Sequence, residues 1–500
     1  MSISIASNVN VRSTARALVP ICAGAAAYLF LLSIGDILLR DPDTLWHIKV
    51  GQWIIDHGAM PYTDVYSFTR FGEPWISSSW LSQVLYATVY ASFDWAGPVI
   101  LTSLAVGATV AIFIYLLDPY LDPTPAMLLV TLALLMSGTH FLARPHMLAL
   151  PVMLAFVGGL MAAADRRDHP PWLLLPLMAL WANLHGGFVL GLALIGPVGL
   201  EAIWSSDPKH RFVLASQWSL FALAALAASC CTPYGWSTLL GAAKILSLGQ
   251  LLSLIWEWMP ADFSSISFFE AGLLGLIGLA FHRRLVLSVP RIMLLLGLIW
   301  MALTHARNIE VFAFLTPLIL AKPIAEQWKA GGTGVVLIRE IRAPSHVVML
   351  ATLAVIVAGS ASTRIFVAHH PFSFLDTQPV AAVDLLEQRQ AQRIFSTAPI
   401  GGYLISRDIK TFVDGRAELY GEKFVMDYFD AVHAKDVETL LRLLETYRID
   451  ATLLNPTLPA TKALDHLAGW KRLYADKLAV IHVREDRAST NLSSASDVPN

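Results

Sequence analysis

The sequence predicts a polytopic α-helical membrane protein of about eleven spans that ends in a small α/β domain. Three observations carry this. Of the 500 residues, 56% are hydrophobic and 14% charged, against roughly 25% charged in soluble domains. Long apolar runs recur from residue 17 to residue 361 and then stop. Beyond residue 364, short β-like runs alternate with amphipathic ones, as in a soluble α/β fold. The 15 Trp fit a membrane, because indole rings collect at its interfaces. A net charge of −2 offers no basic face and speaks against a nucleic-acid partner. Cys22, Cys230 and Cys231 make neither a disulfide framework nor a zinc spacing.

A crossing needs about 20 apolar residues, fewer within a bundle. On that measure spans lie at 17–39, 97–117, 125–142, 146–163, 172–184, 187–204, 212–230, 266–281, 288–303, 309–321 and 345–361. The first is a full span and not a cleavable leader. Arg12 and Arg16 precede it, so residues 1–16 are expected in the cytoplasm. Alternation then brings Arg166-Arg167, Lys209 with Arg211, Arg283-Arg284 and the Lys322–Arg342 linker to that same side, as solvated anchors. Leu81–Phe93 is apolar but short for a crossing, and it reads as an interfacial or re-entrant helix of a first outer loop at 40–96. Residues 17–361 are thus the membrane domain and 364–485 an extracytoplasmic domain. In the latter, Arg393–Ser396, Thr411–Val413, Ala451–Leu454 and Leu478–Val483 read as strands. Pro379–Gln388 and Asp436–Tyr447 read as helices, the second with Leu440, Leu441, Leu444 and Tyr447 at helical spacing. The Ser/Asn-rich tail 486–500 is expected to be disordered.

Polar residues gather at the predicted outer ends. They are Asp41, Asp43 and His47 after the first span, Arg144 and His146 flanking Pro145, and Asn183 with His185 before a Gly pair. Glu257 in a Trp-Glu-Trp stretch and His305, Arg307 and Asn308 complete the set. An ionisable group at membrane depth is costly and usually faces a cavity and a partner, so Asp43, Arg144, His185 and Arg307 are expected to converge. Each has a plainer reading. Asp43 is placed to cap a helix over 44–56, Arg144 to snorkel, and the Gly pair to make a tight turn beside a hydrogen-bonded histidine.

An outer loop that opens on Asp-X-Asp directly after the first span, followed by the Tyr/Asp/Ser/Trp-rich stretch 58–83, resembles the integral-membrane glycosyltransferases of the GT-C superfamily. In particular it resembles bacterial multi-span members that end in a soluble outer domain. The resemblance covers about 17–325 in architecture and Arg40–Gln83 in motif. It implies that Asp41 and Asp43 stand at the acidic-motif positions, as catalytic base or as ligands of a divalent cation, Mg²⁺ or Mn²⁺, with His47 as a third ligand. It also implies a lipid-linked sugar donor carried on polyprenyl phosphate, with membrane lipids as surroundings. The Trp256–Pro260 stretch departs from the Trp-Trp-Asp motif of oligosaccharyltransferases, which argues against transfer to protein asparagine. Gly401–Tyr403 and Asp414–Arg416 resemble segments of outer domains to which no role attaches.

The implied reaction is coherent in these residues. Asp43 or Asp41 would deprotonate an acceptor hydroxyl, and Arg144, Arg307 or the cation would offset the leaving phosphate. His146, His185, His305, Asn183 and Glu257 would orient or bind. The expected setting is a bacterial inner membrane with the N-terminus in and the C-terminus out. Two other classes stay open: a metal-independent polysaccharide ligase or polymerase, and a transporter or envelope scaffold without catalysis.

Overall fold

The computed structural model describes residues 2–246, 248–249, 255–330, 345–374 and 378–485. The predicted tail 486–500 and residues 331–342 of the basic linker lie outside the described residues. Contacts divide the chain into two compact units. One comprises Met1–Leu38, Ala96–Leu239 and Ser253–Phe372, the other Leu39–Trp95, Leu240–Leu252 and Ser373–Asn500.

In the first unit every apolar segment read as a span is helical, from Ser2–Ser33 and Ala96–Leu117 to Asn308–Ala330 and Ser345–His369. Six helices among the described residues are long and apolar enough to cross a bilayer: Arg16–Ser33, Ala96–Leu117, Pro145–Arg166, Arg211–Ser229, Asn308–Trp328 and Val348–His369. Leu174–Leu184, Phe188–Trp204 and Val289–Thr304 are apolar but shorter. By length and composition alone these six helices are able to cross, and the count of eleven adds the shorter apolar helices. Proline occupies the first turn of Pro123–Ser137 and Pro145–Arg166, where its missing N–H costs nothing. Glu270 near a span end is explained by a capping box with Ser267.

A buried ion cluster ties helices of this unit together. Arg291 is 4% exposed. Its Nε donates to Glu201 Oε1 at 2.9 Å, its Nη1 to the Ile319 carbonyl at 2.8 Å, and its Nη2 to Asp165. Tyr120 donates to Asp165 Oδ2 at 2.8 Å, and the Ser288 hydroxyl donates to Glu201. Lys322, expected as a solvated anchor, donates to the Asp165 carbonyl at 2.5 Å. Sequence reasoning passes over this cluster, although a charge inside the apolar run 288–303 was a usable signal.

In the second unit the first outer loop, drawn at 40–96 beside the spans, packs with the C-terminal residues. Helices Asp43–His57 and Trp80–Phe93 pack on each other, and Trp46, Val50 and Ile54 enter one core with Phe395, Phe412 and Leu440. An amphipathic helix needs an apolar partner, and here that partner is the α/β fold. Its sheet has the order β1-β2-β4-β3, with β1 Ile394–Ser396, β2 Ala451–Leu454, β3 Trp470–Ala475 and β4 Val480–Arg484. β1 and β2 are parallel, and the other two pairings are antiparallel. Thr411–Val413, expected as a strand, makes only an isolated parallel bridge, Thr411 to Ser67. β3 is half-exposed and lacks a clean alternation, which is why its sequence reads as no strand. Helices Val380–Gln388 and Val437–Thr446 stand where expected, with Leu443 buried in the place assigned to Leu441.

Candidate functional site

In the second unit the Asp-Pro-Asp turn opens helix Asp43–His57, with Pro42 at the N-cap position and no side-chain cap bond there. Asp41 Oδ1 instead accepts the Asp43 N–H at 2.8 Å. The sequence allows Asp43 to cap or to act in chemistry; the structure gives the orphan donor to Asp41. The helix therefore begins one residue earlier than 44–56. Asp41→Ala is expected to lower stability by about 1 kcal/mol in thermal unfolding of the purified chain.

The Asp43 carboxylate is half-buried and stands against Gly415, where an added Cβ would lie 2.5 Å from Oδ1. An added Cβ on Gly402 would overlap the Pro42 carbonyl. Both segments singled out in sequence without a role, Gly401–Tyr403 and Asp414–Arg416, thus bring bare backbone up to the acidic motif. His47 is buried, stacked on Trp46 with ring centroids 3.7 Å apart, and its Nδ1 lies 3.1 Å from Gln83 Nε2. Among the described residues no three His, Cys, Asp or Glu side chains are grouped so as to hold a metal ion. Asp41, Asp43 and His47 therefore do not assemble as the ligand set expected of them, because Asp41 is turned to backbone and His47 to an amide.

Behind this turn lies a fully buried network that sequence reasoning missed. Arg416, 1% exposed, donates from Nε and Nη2 to the two oxygens of Asp414 (2.8 and 2.7 Å) and from Nη1 to Asp64 Oδ1 (2.6 Å). Tyr420 and Thr411 donate to Asp414 Oδ2 at 2.7 and 3.0 Å. Asp64 also accepts the Tyr66 and Ser67 N–H groups (3.1 and 3.0 Å). The guanidinium lies over Trp75, 4.7 Å from the ring centroid. Burial pushes the Asp414 carboxyl up, but the Arg416 charge and the hydrogen bonds from Arg416 and Tyr420 outweigh it and hold the group below its ordinary range. Burial pushes the Glu418 carboxyl up.

The other predicted polar residues meet in the first unit. Arg144 is ion-paired with Glu257. Arg307 donates its N–H to the Glu257 carbonyl (2.9 Å) and lies over Trp258 at 4.4 Å. His305 meets Trp258 edge-on, with centroids 5.5 Å apart. His146 and His185 lie 6.2 Å apart by centroid, and a His146 ring nitrogen is 3.1 Å from the His140 carbonyl. Burial raises the Glu257 carboxyl, but Arg144 and Arg307 overcome this and leave it below the ordinary value. Asn183 donates to the Ala179 and Cys231 carbonyls at 2.7 and 2.9 Å, a turn-fixing role. The His185 ring accepts the Gly187 N–H at 3.1 Å, the plainer reading of that turn. Glu310, buried one turn beyond Arg307, and His140 join the cluster unannounced by sequence. Arg144, His185 and Arg307 thus come together as expected, while Asp43 belongs to the second unit. This cluster sets the guanidinium groups of Arg144 and Arg307 among the carboxylates of Glu257 and Glu310.

No protein-family model and no curated protein matches the sequence. Among solved structures, the oligosaccharyltransferase AglB of Archaeoglobus fulgidus, in complex with an inhibitory peptide and a dolichol-phosphate, aligns over 86% of this chain and 69% of its own. The identity is 12% and the TM-score 0.50. The chain shares the fold of that oligosaccharyltransferase. A second structure of an Archaeoglobus fulgidus oligosaccharyltransferase, tethered to an acceptor peptide, aligns over 86% of this chain and 68% of its own at 10% identity and a TM-score of 0.47. The shared fold and the six long apolar helices together make this a multi-pass membrane protein.

Proposed function

We propose that the protein is a membrane glycosyltransferase that moves a sugar from a polyprenyl-phosphate-linked donor to an envelope glycan or lipid. The observation that carries this reading is Asp43, a carboxylate at the acidic-motif position after the first apolar run that faces bare backbone at Gly415. In this reading Asp43 takes the proton of the acceptor hydroxyl as its oxygen attacks the anomeric carbon and the bond to the donor phosphate breaks. Within the first unit, Arg144 and Arg307 with His146, His185 and His305 offer hydrogen-bond donors to a phosphate, and Glu257 pairs with Arg144. No step runs through a metal, since Asp41 and His47 are committed to other partners. We place the chain in a bacterial inner membrane with residues 1–16 in the cytoplasm and 364–485 outside, supported by the basic loops that alternate with the apolar runs.

Asp43→Asn tests the reading. The amide keeps the shape of the side chain but neither takes up a proton nor carries charge. In a strain deleted for this chain and lacking one surface glycan, Asp43→Asn is expected to express and melt as wild type yet leave the glycan absent. Full restoration of the glycan by Asp43→Asn would sink the base, and the ligase or scaffold readings would replace it.

A further inference from the structure

The Asp414–Arg416 turn takes no part in the chemistry just described, yet it is among the most firmly held pieces of backbone in the second unit. Arg416 is buried and makes hydrogen bonds to both oxygens of Asp414 and to Asp64, which is itself fastened by two backbone N–H groups. Between the two anchored residues sits Gly415, which is exposed. Core packing therefore does not explain the missing side chain. Nor does backbone conformation, since Gly415 is not among the residues with positive φ. What an added Cβ would meet is the Asp43 carboxylate, with Oδ1 at 2.5 Å and Oδ2 at 3.3 Å.

We propose that the Asp414–Arg416 turn is a positioning element for Asp43: Gly415, held rigid by the buried Arg416 anchor, sets the rotamer in which the carboxylate is presented. Its consequence for sugar transfer rests on the glycosyltransferase reading; the positioning itself rests on the geometry. The atom that a Cβ at 415 would strike is the end of a side chain with two rotatable bonds. Alanine there turns the carboxylate and leaves the backbone where it is. Gly402 is a poorer probe, because its Cβ would strike the Pro42 carbonyl and the backbone would have to yield.

The test is chemical labelling of the full-length chain in detergent with a water-soluble carbodiimide and glycine ethyl ester. Peptide mass spectrometry reads the labelling of Asp43 relative to exposed Asp56 on the same helix. Gly415→Ala is expected to change the Asp43:Asp56 ratio by about threefold or more, the size of an off-rotamer population shift, with an unchanged melting temperature. An unchanged ratio at an unchanged melting temperature overturns the proposal. If Gly415→Ala lowers the melting temperature, the double variant Gly415→Ala/Asp43→Ser decides: recovery supports the contact, and no recovery overturns it. The two readings fail separately. A changed ratio together with glycan restoration by Asp43→Asn removes the transferase and keeps the positioning; an unchanged ratio with a null Asp43→Asn does the reverse.

Discussion

Arg416→Met is expected to unfold the second unit at growth temperature, with a loss of about 3–5 kcal/mol. Methionine fills much of the volume, so the cost is electrostatic: Asp414 and Asp64 would stay buried with no cation. Differential scanning fluorimetry and limited proteolysis of the detergent-purified chain would read it. The triple variant Arg416→Met/Asp64→Asn/Asp414→Asn, which removes all three charges, should recover much of the loss, because a buried ion network is close to neutral overall and costly only when half removed. A melting temperature for Arg416→Met equal to wild type would mean that the two carboxylates find water or another cation.

The same variant carries a pH signature. Asp414 in the folded chain titrates below its ordinary value, so the stability it contributes is present above the unfolded value of about 3.9 and is lost as pH falls through the folded value. In Arg416→Met the offsetting charge is gone and burial, the largest influence on Asp414, outweighs the remaining Tyr420 hydrogen bond, which reverses the sign: protonation of Asp414 now stabilises. The gap in melting temperature between the two proteins should therefore narrow as pH falls from 7 towards 4. Glu418, raised by burial, titrates in both proteins, so the gap isolates Asp414 better than either curve alone.

Arg291→Met should be comparably damaging in the first unit, again by about 3–5 kcal/mol. It strands Asp165 and Glu201, whose side chains are 5% and 7% exposed, among apolar helices. Arg291→Lys should recover only part of the loss. A single ammonium cannot serve two carboxylates and the Ile319 carbonyl as the planar guanidinium does. Thermal aggregation of the purified variants measures both, and equal half-lives for Arg291→Met and wild type would show that the cluster bears no load.

How far the sequence carries depends on the range of the interaction that decides each feature. Apolar run length is a local property, so the apolar runs read as spans are helical in the first unit, while helix Ser237–Leu246 lies between two of them unannounced. The strands Ile394–Ser396 and Ala451–Leu454 are legible for the same reason, as short buried runs between turn signals. Turn-borne polar residues are legible too, since a charge beside an apolar run demands an explanation, and Arg144, His185 and Arg307 do meet. Capping is local but finely balanced. Asp41 and Asp43 are both able to accept an orphan N–H, and only the turn geometry gives it to Asp41.

Pairing across the chain is a different matter. Asp64 and Arg416 are 352 residues apart, and no periodicity in either segment announces the other. The same holds for Arg291 with Asp165, 126 residues away. The sequence by itself determined a membrane-embedded helical chain with an Asp-X-Asp turn after its first apolar run and an α/β end, because solvent preference and local periodicity are written residue by residue. Tertiary structure alone decided that residues 40–95 fold with that α/β end, that Asp41 accepts the Asp43 N–H, and that Gly415 lies against the Asp43 carboxylate. Those outcomes depend on which distant surfaces bury each other, and burial turns a solvated charge into one that must have a partner.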